Sequence, residues 1–217
     1  MGFFRNIFGG NATEPVLDGR TEDLRQRRST GFHEFIRYID KPSGQVVLDL
    51  GATSPANLQF ITGLDHRAYN EDLMLAASDP GLLVETGEEG VKRIDTVRFL
   101  SENLNYDAEL FDAVLLWDLA DYLPEALVKP VIERLHHVMK PKGILFGFFH
   151  TKDAGPEAPH LRFNIVSPNT LDLRPGAGHF RLQRVFNNRH IENLFHGYKS
   201  IKFFLGRDNL REVLVIR

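Results

Sequence analysis

The chain has 217 residues, of which 26 are Lys or Arg and 29 are Asp or Glu, so its formal net charge is −3. This length suits one domain with a full hydrophobic core, and the charge balance argues against a nucleic-acid-binding protein, which usually carries a basic surface. The sequence contains no cysteine, which excludes disulfides, thiol nucleophiles and zinc–thiolate sites.

The start of the chain is apolar but short. Residues 3–8 place four apolar side chains on one face of a short helix, which we expect to pack on its own domain rather than on a membrane or a partner. Arg5 interrupts this stretch and argues against a signal peptide. No apolar run approaches the length of a membrane span. We therefore expect a cytoplasmic protein with no membrane span.

A helix is predicted over residues 21–40, and the sequence Pro42-Ser43-Gly44 ends it. We assign residues 1–43 to an N-terminal arm and helix that pack on the main domain, which we place at residues 44–217.

Residues 46–50 are predicted to form a strand, with four apolar side chains around Asp49. The strand ends at Gly51, where the chain can turn sharply. Ser54 and Pro55 then indicate the start of a helix. A strand, a tight turn and a helix N-terminus together suit the binding of a nucleotide-like ligand, although ordinary βα turns have the same form.

Strands and helices are predicted to alternate in the middle of the chain. A second strand begins near Arg67 and ends at the acidic pair Glu71 and Asp72, whereas residues 91–104 fit either a helix or a helix followed by a strand. The later predicted elements are a buried strand over 111–118, a helix over 125–139 and a buried strand over 144–149. This alternation predicts a parallel sheet with right-handed crossovers.

The end of the chain does not alternate in this way. Residues 150–184 are rich in proline and glycine, and so long an irregular segment usually forms a lid or binding loop. A helix from Asn187 or Asn188 to His196 follows. Strands over 200–205 and 212–216 then form an antiparallel hairpin.

Four segments stand out in chain order: residues 47–51, residues 111–114, residues 135–143 with the turn Lys140-Pro141-Lys142-Gly143, and residues 188–195 with the closing hairpin. Together they resemble the class I S-adenosylmethionine-dependent methyltransferases. They are similar, in turn, to that family's first cofactor motif, the start of its fourth strand, the helix and Lys-Pro-x-Gly turn before its fifth strand, and the end of its domain. The resemblance implies a Rossmann-like, seven-stranded, mostly parallel sheet with helices on both faces and an antiparallel C-terminal hairpin.

The resemblance also implies a cofactor, S-adenosylmethionine, and a role for each residue near it. Gly51 and Ala52 would line its methionine end with Thr53 beside them, and Asp49 would order the turn or meet the ammonium group. The remaining candidates are acids and amides at strand ends: Glu71 or Asp72 for the ribose, Glu102 or Asn103 for the adenine, and Asp118 beside the transferable methyl group.

Methyl transfer needs a base only when the acceptor must lose a proton. Asp118 and His150 are the candidates for that role, because each follows a predicted strand. His136 and His137 point to different sides of their helix, and we expect no metal site.

The turn departs from the family pattern, since Thr53 and Pro55 stand where the family has glycines. Two functions therefore remain open. One is an enzyme that methylates a small molecule, with residues 150–184 as its lid. The alternative is an inactive methyltransferase-like domain that serves as a binding or scaffold protein. A nicotinamide-dependent dehydrogenase is disfavoured, because no G-x-G-x-x-G follows the first strand.

Overall fold

A mixed six-stranded sheet forms the centre of the computed structural model, which describes residues 26–86, 90–152, 160–176, 180–206 and 208–217. In the described ranges, the strands of the molecule are β1 (Gln26–Arg28), β2 (Val46–Asp49), β3 (Arg67–Asn70), β4 (Leu83–Glu85), β5 (Lys92–Ile94), β6 (Phe111–Trp117), β7 (Met139–His150), β8 (Leu161–Ser167), β9 (Thr170–Pro175), β10 (Ser200–Phe204) and β11 (Leu210–Ile216). The order in the central sheet is β10-β11-β7-β6-β2-β3.

Helices cover both faces of this sheet. In the same ranges they are α1 (Thr30–Ile39), α2 (Pro55–Gly63), α3 (Leu73–Ala77), α4 (Thr96–Asn103), α5 (Leu119–Tyr122), α6 (Glu125–Val138) and α7 (Asn188–Leu194), with a 3₁₀ turn at Pro80–Leu82. Strands β2, β3, β6 and β7 pair in parallel. Strand β11 is antiparallel to both β7 and β10, so the predicted closing hairpin is confirmed.

Two hydrophobic cores hold the layers together, one on each face of the sheet. Phe32 and Phe35 of α1 pack with Phe146 and Trp117 on one face. Helices α4, α6 and α7 bury apolar side chains on the other face, including Phe99. Strand β2 is buried on both faces, as the apolar run around Asp49 predicts for a central parallel strand.

The prediction of seven strands is wrong for the described residues, whose central sheet has six. Strands β4 and β5 pair only with each other and form a separate antiparallel ribbon. Their side chains are mostly exposed, with Lys92 and Arg93 in β5. A strand of this composition cannot be buried on both faces of a parallel sheet. The chain over 91–104 forms a short strand followed by a helix, not a helix alone or a helix followed by a strand as predicted.

The predicted helix over 21–40 begins later than expected. Residues 26–28 form β1, whose alternating burial places Arg27 inside, and α1 starts after its N-cap Ser29. Gly31 lies in the first turn of α1, where its N–H donates to Oε2 of Glu212 at 2.6 Å. An ideal Cβ on Gly31 would lie 2.9 Å from that oxygen, so the close contact requires glycine.

The segment over 150–184, expected to be irregular, contains the β8–β9 hairpin. Strand β1 pairs with β9, which makes a three-stranded antiparallel sheet on the α1 and α2 side of the molecule. The predicted apolar helix over residues 3–8 lies outside the described residues. Within the described ranges, the helices are all too short or too polar to cross a membrane.

Candidate functional site

The turn after β2 is organised by the carboxylate of Asp49, which is only 1% exposed. Its Oδ1 accepts hydrogen bonds from the Gly51 N–H at 3.0 Å and from Nε1 of Trp117 at 2.6 Å. Its Oδ2 accepts from Nδ2 of Asn57 at 2.8 Å. Burial raises the pKa of Asp49, and the three hydrogen bonds oppose that shift. Both oxygens are thus occupied in ordering the turn.

The other side of the turn is held by Asn70, the last residue of β3. Its Nδ2 donates to the carbonyl oxygens of Asp49 and Gly51 at 3.0 and 2.8 Å. Its Oδ1 accepts from Oγ1 of Thr53 at 2.5 Å. Thr53 therefore contributes its hydroxyl to the closure of the turn.

Strand β8 packs against the same turn and is hydrogen-bonded to it. Arg162 Nη2 donates to the Thr53 carbonyl at 2.6 Å, and Asn164 Oδ1 accepts from the Ser54 hydroxyl at 2.7 Å. Asn57 donates to the carbonyl of Phe163 at 3.1 Å and accepts from the N–H of Ile165 at 2.8 Å. The hairpin is thus bonded to the turn through both backbone and side chains.

A cavity of about 160 Å³ lies beside this turn, at the carboxyl ends of β2 and β6. This edge is where open α/β sheets bind ligands. The lining is mostly apolar, and it comprises Leu50, Gly51, Ala52, Asp72, Met74, Leu75, Leu116, Trp117, Asp118, Leu119, His160, Leu161, Arg162, Phe163, Gly176 and Phe180. Of the predicted site residues, it brings together Gly51, Ala52, Asp72 and Asp118.

The two acids that follow β3, Glu71 and Asp72, lie in different environments. Asp72 lines the cavity and also caps α3, because its Oδ1 accepts from the Leu75 N–H at 3.0 Å. Glu71 is not among the lining residues, and its Oε1 accepts a short hydrogen bond from the hydroxyl of Tyr106. The carboxylate that faces the cavity is therefore Asp72.

The adenine candidates lie on α4, away from this cavity. Glu102 forms an exposed ion pair with Nε of Arg98 at 2.8 Å, and Asn103 donates to the carbonyl of Phe99. Asp95, the acid that directly follows β5, caps α4 by accepting from the Arg98 N–H at 3.0 Å and does not line the cavity.

His150 is buried behind the cavity and bonded to Asp121. Its Nδ1 lies 2.8 Å from Oδ2 of Asp121, and its backbone N–H donates to the same oxygen at 2.6 Å. Burial alone would lower the pKa of His150, but this hydrogen bond and the nearby carboxylates raise it. Burial raises the pKa of Asp121 to about 6. The ring of Tyr122 packs against His150, at 5.7 Å between centroids.

His160 reaches the cavity and was missed by the sequence reasoning. Its Nε2 lies 3.7 Å from Oδ1 of Asp118, whose side chain is only 5% exposed. The ring packs edge-on against Tyr122 and Phe180, at 4.7 and 5.4 Å between centroids. Its Nδ1 is buried and has no hydrogen-bond partner among the described residues. A histidine in a segment rich in proline and glycine carries no sequence pattern that separates it from a loop residue.

In the part of the chain that the structure describes, no three His, Asp or Glu side chains are arranged to hold a metal ion. His136 packs against Tyr198, at 4.9 Å between ring centroids, and does not line the cavity.

No family model matches the chain, and no curated protein matches it. Its structure is similar to that of a SAM-dependent methyltransferase from Archaeoglobus fulgidus, with a TM-score of 0.52 and 10% identity over 86% of this chain and 91% of that one. Another similar structure is an S-adenosylmethionine-dependent methyltransferase from Mesorhizobium loti, with a TM-score of 0.47 and 14% identity over 87% and 99% of the two chains.

A third similar structure is 1,6-didemethyltoxoflavin-N1-methyltransferase from Burkholderia thailandensis, with 1,6-didemethyltoxoflavin and S-adenosylhomocysteine bound. Its TM-score is 0.46, with 13% identity over 87% of this chain and 78% of that one. At such low identities the similarity concerns the fold, for which the Archaeoglobus fulgidus structure is the strongest of these three matches. The chain has the fold of the class I S-adenosylmethionine-dependent methyltransferases.

Proposed function

We propose that the protein binds S-adenosylmethionine in the cavity beside Gly51 and transfers its methyl group to a small-molecule acceptor. One observation carries the proposal: Gly51, Asp72 and Asp118, which follow three different strands, meet on the wall of one cavity. Fold alone does not determine function. The arrangement of these side chains adds chemistry that the fold does not.

The polar groups that line the cavity complement the charges of the cofactor. S-adenosylmethionine carries an ammonium and a sulfonium, and the wall presents the carboxylates of Asp72 and Asp118. His160 Nδ1 is a buried polar atom without a partner among the described residues, and a polar ligand would satisfy it. The bound cofactor would supply an electrophilic methyl group, and the protein would mainly align the reactants and exclude water.

Asp118 is the proposed catalytic residue, since its buried carboxylate reaches the cavity and would accept a proton from the acceptor. His160 lies beside it and orients it. His150 takes a positioning role, because its ring holds Asp121 and packs on Tyr122, which in turn contacts His160. In the same way, we propose that the described residues of the predicted lid, 150–152, 160–176 and 180–184, cover the site, as His160, Phe163 and Phe180 line the cavity.

Calorimetric titration with S-adenosylmethionine and with S-adenosylhomocysteine tests the proposal. Replacing Asp72 by Asn keeps a cap on α3 but removes the charge, and should weaken binding about 10-fold, the cost of one charge-assisted hydrogen bond. Asp95→Asn is the matched control, because Asp95 caps α4 at the same 3.0 Å distance outside the cavity. Absence of binding heat at millimolar cofactor would contradict the proposal.

The second candidate is a binding domain without transferase activity. The cavity, at about 160 Å³, is smaller than the ~300–1,000 Å³ of most small-molecule sites. Thr53, at a position where the resembled family has a glycine, also bonds Asn70 at 2.5 Å and helps to hold the turn closed. This candidate predicts that S-adenosylhomocysteine does not accumulate when the protein is incubated with S-adenosylmethionine and a panel of phenols, amines and carboxylic acids. Accumulation of that product with any acceptor excludes it.

A further inference from the structure

A second concave surface lies on the outer side of the β8–β9 hairpin. This groove, of about 420 Å³, runs between the hairpin and the first turn of α2. Its polar lining comprises Ser54, Arg162, Asn164, Asp172 and Arg174. Arg162 also lines the cavity beside Gly51, so the two spaces share this residue.

The hairpin places two arginines directly opposite each other. Arg162 of β8 pairs with Arg174 of β9, whereas Phe163 and Ile165 alternate onto the buried face. Like charges directly across an antiparallel pair destabilise a sheet. Both arginines of this unfavourable pair line the groove.

The local acid does not balance these two charges. Asp172 is bonded by Nε of Arg174 at 2.5 Å, which leaves one positive charge in excess among the three side chains. Arg162 is fixed by its bond to the Thr53 carbonyl. Its Nε is buried and has no hydrogen-bond partner in the described ranges, although a buried donor normally has one.

We propose that Arg162 and Arg174 bind an oxyanion, a carboxylate or phosphate group, carried by the methyl acceptor. A guanidinium fork matches the geometry of both groups and binds them with two hydrogen bonds. Because Arg162 lines both spaces, an acceptor held by its anionic end in the groove reaches the cavity where Asp118 lies. The role in methyl transfer rests on the proposed function, whereas the oxyanion site itself does not.

The test is a titration of the full-length protein with inorganic phosphate and, separately, with acetate, at constant ionic strength. Arginine Nε–H and backbone amide signals are followed by NMR. Phosphate or acetate should shift the signals of Arg162 and Arg174, and the tighter of the two identifies the oxyanion. Arg174→Gln, which can still bond Asp172, should weaken that binding about 10-fold.

Arg37→Gln is the matched control, since the side chains of Arg37 and Arg174 are both 66% exposed and both are ion-paired. It should leave binding unchanged. Equal binding by the two variants, or no shift at the hairpin with either anion, overturns the proposal. S-adenosylhomocysteine is titrated in parallel: if it fails to bind wild type while the anion binds, the proposed function falls and the oxyanion site stands.

Discussion

Nε1 of Trp117 donates a hydrogen bond to Oδ1 of Asp49 at 2.6 Å, which joins the ends of β6 and β2 beneath the candidate site. The indole also stacks on Phe163 of the hairpin, with 5.3 Å between ring centroids and an interplanar angle of 1°. Trp117 is therefore held by the sheet below and by the hairpin above. It is also the one tryptophan in the sequence, so its fluorescence reports directly on this site.

Removal of the Asp49 carboxylate should destabilise the protein strongly. Asp49→Ala removes the acceptor of three donors: the buried side chains of Asn57 and Trp117 and the partly buried N–H of Gly51. Each buried donor left without a partner costs about 1–3 kcal/mol, so the free energy of unfolding should fall by at least about 2 kcal/mol. Asp49→Asn keeps one acceptor oxygen and should cost less. Urea unfolding followed by fluorescence measures both, and equal losses for the two variants would contradict this account.

A methyl group on Gly51 should displace Trp117. An ideal Cβ there would lie 2.9 Å from Cδ1 of the indole, closer than van der Waals contact allows. Gly51→Ala should therefore shift the tryptophan emission and lower the free energy of unfolding by about 1–3 kcal/mol. At Gly63, the last residue of α2, a Cβ meets no atom within 4 Å.

Gly63→Ala is thus the control for Gly51→Ala, and it should stabilise the protein by up to about 1 kcal/mol without moving the emission maximum. An unchanged spectrum in Gly51→Ala would show that the indole is not packed on the turn as described.

Burial pattern explains which elements were predictable. Strands β2, β6 and β7 are apolar runs buried on both faces, and their sequences indicate this directly. Strands β4 and β5 are three residues long and exposed, so they carry no comparable pattern. The β8–β9 hairpin had a signal in its buried Phe163 and Ile165, but the proline-rich context favoured a loop.

The residues of the candidate site likewise fall into those that the sequence predicts and those that it does not. Gly51, Asp72 and Asp118 were predicted because each follows a strand, and strand ends of a parallel sheet meet at one edge. His160 and Arg162 were missed because their position depends on the docking of the hairpin over the turn. The contacts that dock the hairpin join residues far apart in the sequence, such as Asn57 with Phe163 and Ile165. A single sequence does not reveal such pairs.

Asn57 should be essential for the docking of the hairpin. Its side chain bonds Asp49, the Phe163 carbonyl and the Ile165 N–H. Asn57→Ala removes these bonds and should lower the free energy of unfolding by about 3 kcal/mol, while hydrogen exchange at Ile165 speeds up. Asn164→Ala, which removes a single bond to Ser54, is the control and should cost less than about 1.5 kcal/mol. Unchanged exchange at Ile165 in Asn57→Ala would show that packing alone holds the hairpin.

The buried pair Asp121 and His150 should make stability depend on pH. Burial raises the pKa of Asp121 to about 6, above the value of about 3.9 expected in the unfolded chain. The pKa of His150 is also raised, because its hydrogen bond to Asp121 and the neighbouring carboxylates outweigh the opposing effect of burial. Between the unfolded and the folded pKa of each group, the folded protein binds more protons than the unfolded chain.

Stability should therefore fall as pH rises. The contribution of Asp121 is present below about pH 4 and is lost as pH rises through about 6. That of His150 is present below about pH 6.5 and is lost as pH rises through its raised pKa. Asp121→Asn imitates the protonated acid at every pH, so urea unfolding from pH 4 to about pH 8 should show a steeper loss in wild type than in this variant. His150→Gln should flatten the same curve above pH 6.5. Parallel curves for all three proteins would mean that the pair does not titrate in this range.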